Sequence, residues 1–234
     1  MILVIGAGLV GKSIIKSFVN RGLQVVCVDP FVNTDNFEKF IINEIDFVNS
    51  DFENFTNDEK YHNIFDAIIN VSYPVKRDMN SKVFPKKETF SNSINNHISL
   101  YYNVMLSSKN LLKDATGSVV SASSIYSTFM PRPEIYKDSS RCTPIDYVAS
   151  KSAIIFMSKF FAKNFSKNIY FNTISFGGIN NNHEKSFIDK YGTYTKSKKM
   201  IDAKEISESF LFMSNAHINK INGENLVVDD GFSL

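Results

Sequence analysis

Short apolar runs alternate with stretches of helical period along this chain. "ILVIG" (2–6), "QVVCVD" (24–29), "DAIINVS" (66–72), "GSVVSASS" (117–124), "NIYFNTISFGG" (168–178) and "NLVVDDG" (225–231) have the length and β-branched content of strands. Most are continuous rather than alternating, the pattern of strands buried on both faces. Between them lie helical patterns. Residues 10–22 place Ile14, Ile15, Phe18 and Val19 on one face and stop at Gly22. Residues 90–112 and 146–165 predict two longer helices. Strand–helix alternation predicts an α/β fold: a doubly wound, parallel sheet of about seven strands with helices on both faces and right-handed crossovers. The loop-rich stretches 73–88, 125–145 and 180–200 are expected over the carboxyl ends of the strands, where ligands bind in such folds.

Composition narrows this picture only modestly. The chain has 234 residues, 43% hydrophobic and 21% charged, enough to build a core in one domain spanning 1–234. A net charge of +2 and the lack of a long basic run argue against nucleic acid as a partner. The lysines of "TKSKKM" (195–200) are a local cluster only. No apolar run reaches the roughly 18 residues of a membrane span. The chain opens on a strand rather than a signal peptide, so the cytoplasm is the expected compartment. Cys27 and Cys142 have no ligand-like spacing and the four histidines are scattered, so no metal is expected.

Candidate chemistry changes the picture more. Gly6, Gly8 and Gly11 form GxGxxG between the first strand and the first helix. Glycines there allow a tight turn and close approach of a pyrophosphate to the helix N-terminus, the signature of a Rossmann-type dinucleotide-binding fold. Asp29 ends the second strand, 18 positions after Gly11, with no Arg or Lys immediately following. A carboxylate there accepts from ribose hydroxyls and repels a 2′-phosphate, which selects NAD. Tyr147 and Lys151 stand four residues apart on one helix face, and Ser124 ends a strand 23 residues earlier. An ammonium beside a phenol favours the phenolate, and a strand-end hydroxyl can hold a carbonyl oxygen.

On these residues, with "YVASK", "FNTISFGGI" and the tail "INGENLVVDDGFSL", the chain resembles the short-chain dehydrogenase/reductase family over nearly its full length. The resemblance implies Tyr147 as general acid/base, with Lys151 lowering its pKa and holding the nicotinamide ribose. It implies Ser124 as the substrate-orienting hydroxyl and Asn96 as the helix asparagine of the proton relay. Asp51, followed by Phe52, would contact the adenine; Asn70 would open the strand-four cofactor motif. Gly177 and Ile179 would meet the nicotinamide carboxamide. "SSIYSTFMPRPEIYKDSS" and "VVDDGFSL" resemble a subgroup linked to bacterial surface-sugar and flagellin modification. Three features depart from the family pattern: the tighter Gly loop, "NVSY" for Asn-Asn-Ala-Gly, and Phe176 where proline is usual.

The implied activity is NAD(H)-dependent hydride transfer to or from a hydroxyl or carbonyl of a small, sugar-like substrate. Arg132, Arg141, Lys196, Lys198 and Lys199 suit a phosphorylated or nucleotide-linked sugar, as part of polysaccharide biosynthesis. Two alternatives stand beside it. One is a sugar-nucleotide epimerase or dehydratase, whose relatives carry a further C-terminal substrate domain. The other is a non-catalytic NAD-binding subunit, motivated by Phe176 and the Gly loop. The family also implies a homodimer or homotetramer built on the two long helices.

Overall fold

Four-residue runs of β-branched and aliphatic residues leave no polar side chain to solvate, so they form inner strands. In the computed structural model, which describes residues 1–30, 45–48, 50–73, 82–137, 139 and 141–234, β1 (Ile2–Ile5), β2 (Val25–Val28) and β4 (Ala67–Asn70) are buried throughout. So is β5 (Gly117–Ser124). With β3 (Ile45–Val48), β6 (Ile169–Phe176) and β7 (Asn225–Val228) they make a seven-stranded parallel sheet in the order β3-β2-β1-β4-β5-β6-β7. Winding reverses between β1 and β4, which leaves a crevice over the carboxyl ends of the strands there.

Side chains alternate across the sheet. Ile2 and Val4 enter one core layer; Leu3 and Ile5 enter the other. The first layer packs on α1 (Leu9–Val19) through Ile14, Ile15 and Phe18, and on α7 (Ala203–Ser214) through Ile206, Phe210 and Met213. The second packs on α2 (Phe52–Thr56), α3 (Lys87–Leu111) and α5 (Ile145–Asn164). Helices therefore cover both faces, as the alternation predicts. None of the described helices is long and apolar enough to cross a membrane.

A third, smaller cluster sits above the strand ends. It joins Ile125 and Ile135, the latter on the short helix α4 (Pro133–Tyr136), to Phe187 and Tyr191 of α6 (Lys185–Gly192), Met200 and Phe232. Stretches read from sequence as loops thus contain two helices. Arg132 fastens this roof: its guanidinium lies 4.3 Å from the Tyr194 ring and donates to the carbonyls of Phe232 and Leu234 at 3.3 Å. Gly192 is required there, because a Cβ would come within 2.4 Å of the Lys198 carbonyl. The helix α8 (Ala216–Asn219) leads into β7. Cys27 and Cys142 form no disulfide. Burial, then Asp29, pushes the Cys27 thiol up to about 12, which makes it a core residue rather than a nucleophile.

Candidate active site

The turn after β1 builds one end of the crevice. Gly6 has φ +100°, and a Cβ on it would meet the Ser72 backbone at 2.7 Å. Gly11 is packed harder, with a Cβ position 1.9 Å from the Gly6 carbonyl oxygen. Gly8 differs: nothing lies within 4 Å of its Cβ position, and it lines the cavity while capping α1. No side chain caps that helix and no acidic residue occupies its first turn. The turn therefore offers open space and unneutralised N–H dipoles, the requirements of a phosphate cradle. Asp29, just past β2, lines the same cavity and accepts from the Ala7 N–H at 2.7 Å. Gly loop and carboxylate together fit a dinucleotide.

The cavity, about 490 Å³, continues past the ends of β5 and β6. Ser124, Tyr147 and Lys151 all line it. Ser124 is the last residue of β5, buried, and its Oγ accepts the Tyr126 N–H at 3.2 Å. That bond leaves the hydroxyl hydrogen directed by whatever else it meets, so capping and substrate binding are compatible roles. Lys151 is only 5% exposed, and its Nζ donates to the Ala122 carbonyl at 2.9 Å. Its backbone carbonyl in turn accepts from Ser123 Oγ at 2.9 Å. These two bonds fix the α5 turn against the end of β5, with Tyr147 half-buried one turn earlier.

On the β6 side, Gly177, Gly178 and Ile179 line the cavity, as does Phe176. Phe176 continues β6 into pairing with Val228 and packs on Phe210 at 6.4 Å. The aromatic residue thus closes the sheet where the family pattern has proline. The glycine pair makes room for Tyr191, whose hydroxyl accepts the Gly178 N–H at 2.6 Å.

Four expected site residues are not brought into the cavity. Asn96 is exposed on α3, and its neighbour Asn95 is too. The helix turns Ser93, His97 and Tyr101 inward instead, spaced by one turn each. Asp51 caps α2, accepting from the Asn54 backbone at 2.8 Å, and Phe52 is a core side chain beside Phe55. Asn70 is fully buried one layer behind the cavity, where its Oδ1 accepts from Ser72 Oγ at 2.6 Å. It supports Ser72, which does line the cavity.

The inward face of α3 carries aromatic rings instead. Tyr101 Oη bonds the carbonyls of Ser72 at 3.1 Å and Ala122 at 3.3 Å, tying together the ends of β4 and β5. Lys151 Nζ lies 5.2 Å from its ring. His97 sits between Tyr101 and Tyr73, ring centroids 5.3 and 4.9 Å away, and Tyr73 is 5.9 Å from Tyr147. Both ring nitrogens of His97 are buried without a hydrogen-bond partner among the described residues. Burial, with the Lys151 charge second, drives its pKa down to about 2, so it is neutral. The helical period of 93–111 carried this signal: the apolar face runs through His97, not Asn96.

Of the loop cations expected to meet a substrate, Arg141 lines the cavity, together with Tyr136, His183 and Tyr191. The lysines of 195–200 do not. Lys196, Lys198 and Lys199 are exposed, and Lys199 pairs with Glu205 at 3.2 Å.

A protein-family model described as enoyl-(acyl carrier protein) reductase matches residues 58–233. Post-translational flagellin modification protein A of Campylobacter coli is 29% identical, over 100% of this chain and 98% of its own. Among solved structures, a short-chain dehydrogenase from Leptospira borgpetersenii with bound NAD+ superposes with a TM-score of 0.78 at 21% identity. That match covers 100% of this chain and 92% of the other. Thermoplasma acidophilum aldohexose dehydrogenase gives 0.77 at 16% identity, covering 99% and 93%. At these identities the two structures establish likeness of fold.

Proposed function

Because the chain belongs to the short-chain dehydrogenase/reductase family, we propose that it is an NAD(H)-dependent oxidoreductase. Its substrate is a small, sugar-like molecule, and Tyr147 is the general acid/base. One arrangement carries this reading: Ser124, Tyr147 and Lys151 line the same cavity as Gly8 and Asp29. The Leptospira relative holds NAD+, and two other relatives are described as a flagellin-modification protein and an aldohexose dehydrogenase, which supports both cofactor and substrate class.

Nicotinamide, when bound, supplies the hydride acceptor or donor. The protein's part is proton transfer and orientation. In the oxidative direction the Tyr147 oxygen takes the proton of the substrate hydroxyl as the carbon loses hydride. Ser124 donates to the same substrate oxygen and holds it through the change from alcohol to carbonyl. Lys151, anchored on the Ala122 carbonyl, keeps an ammonium one helical turn from Tyr147. Asp29 favours NAD over a cofactor bearing a 2′-phosphate. The fold of 1–234 is read as one catalytic domain. The exposed Tyr102, Leu106, Phe156 and Phe160 on α3 and α5 support pairing of two copies through that face.

The test is Tyr147→Phe. It should keep NAD binding, measured by calorimetry, while hydride transfer to sugar substrates falls about 10²- to 10⁴-fold. Turnover at the wild-type rate in that variant would overturn the reading.

A further inference from the structure

The two loops that flank the cavity carry many cations, and the fold sorts them. Arg132 is committed to the C-terminal carbonyls and the Tyr194 ring. Lys190 reaches the Lys137 carbonyl, Lys199 pairs with Glu205, and Lys196 and Lys198 are exposed. Arg141 alone among them lines the cavity, on the segment that leads into α5 and Tyr147. On the opposite wall His183 lines it too, its ring stacked on Phe187 at 5.1 Å. His183 Nδ1 accepts the Asn181 N–H at 3.1 Å.

Asp29 is the only Asp or Glu among the described lining residues, and it stands at the adenosine end with the Ala7 N–H on it. Much of the remaining polar wall is hydroxyl. Tyr136 Oη lies 3.1 Å from Tyr126 Oη and 2.6 Å from Thr143 Oγ1, a fixed chain of donors and acceptors. Burial pushes the Tyr126 phenol up, so that hydroxyl stays uncharged.

Building on the reading above, we infer that the substrate is a sugar-like polyol bearing an anionic group, phosphate or carboxylate, held by Arg141. A guanidinium matches either oxyanion with paired N–H donors.

The experiment titrates the NADH-loaded enzyme with glucose, glucose 6-phosphate, glucuronate and inorganic phosphate, following NADH fluorescence. At least one anionic probe should bind about ten- to hundredfold more tightly than glucose, the worth of a charge-assisted pair. Arg141→Gln should abolish that preference and leave NADH affinity unchanged, while Arg141→Lys keeps part of it. The relative affinities of glucose 6-phosphate and glucuronate identify which anion is preferred. Equal binding of glucose and its anions, no saturable anion binding at all, or a preference that survives Arg141→Gln would each overturn the inference. Failure of NADH to bind would instead strike the dehydrogenase reading itself.

Discussion

His97→Phe should flatten the acid side of the protein's stability curve. The wild-type imidazole is fully buried, and burial with the nearby Lys151 charge holds its folded pKa at about 2 against an ordinary 6.5. The unfolded chain binds a proton there below pH 6.5, and the folded chain does not. Stability is therefore complete above pH 6.5 and is lost as pH falls towards the folded value. The slope approaches about 1.4 kcal/mol per pH unit, so going from pH 7 to 5 removes about 2 kcal/mol through this one residue. That is a large share of the roughly 5–15 kcal/mol that holds a domain. Phenylalanine keeps the ring against Tyr73 and Tyr101 but cannot titrate, and it removes two buried nitrogens that lack partners among the described residues. Urea unfolding of both proteins at a series of pH values measures the effect. The difference between the two curves cancels the carboxylates and the other three histidines. It should widen by about 2 kcal/mol in favour of the variant as pH drops from 7 to 5. Parallel curves would show that His97 takes up a proton in the folded state, and the reasoning from its burial would fail. Removing the second cause gives a further check: in Lys151→Met the slope should still begin near pH 6.5 but level off at a higher pH than in the wild type, since His97 then charges more readily in the folded protein.

Two further outcomes test the cofactor end. Gly11→Ala puts a methyl 1.9 Å from the Gly6 carbonyl, so the turn must move. It should lose about 1–3 kcal/mol in urea unfolding and most of its NAD affinity by calorimetry, whereas Gly8→Ala, with nothing within 4 Å, should lose affinity without losing stability. Asp29→Asn keeps an acceptor for the Ala7 N–H but removes the charge. Its ratio of NAD to NADP affinity should fall by about tenfold, as for loss of one short-range electrostatic contact of ~1.4 kcal/mol.

What sequence pattern could and could not disclose follows from where each group sits. Strands buried on both faces have no choice of side chain, so β1, β2, β4, β5 and β6 announce themselves, and their order puts Ser124 at a strand end whatever the loops do. The strand β3, "IDFV", lies at the sheet edge, where an exposed Asp46 interrupts the apolar run and hides it. The helix α7 had a readable start, since Asp202 and Glu205 form a reciprocal capping box, yet its neighbouring lysines draw the eye to a loop. Asn96 illustrates a finer limit. A motif aligned along the chain counts residues, but a helix presents faces, and a shift of one position rotates a side chain by about 100°. The inward face of α3 is marked by Ser93, His97, Tyr101, Val104 and Leu111, and periodicity alone would have chosen His97. The lysines of 195–200 fail for another reason. Their direction depends on Tyr191, Tyr194 and Met200 packing with Phe232, 32 residues beyond Met200. Only after that roof is built does it follow that the lysines face out and Arg141 faces in. Groups on the sheet inherit their direction from topology, while groups on the loops receive theirs from contacts that no local pattern contains.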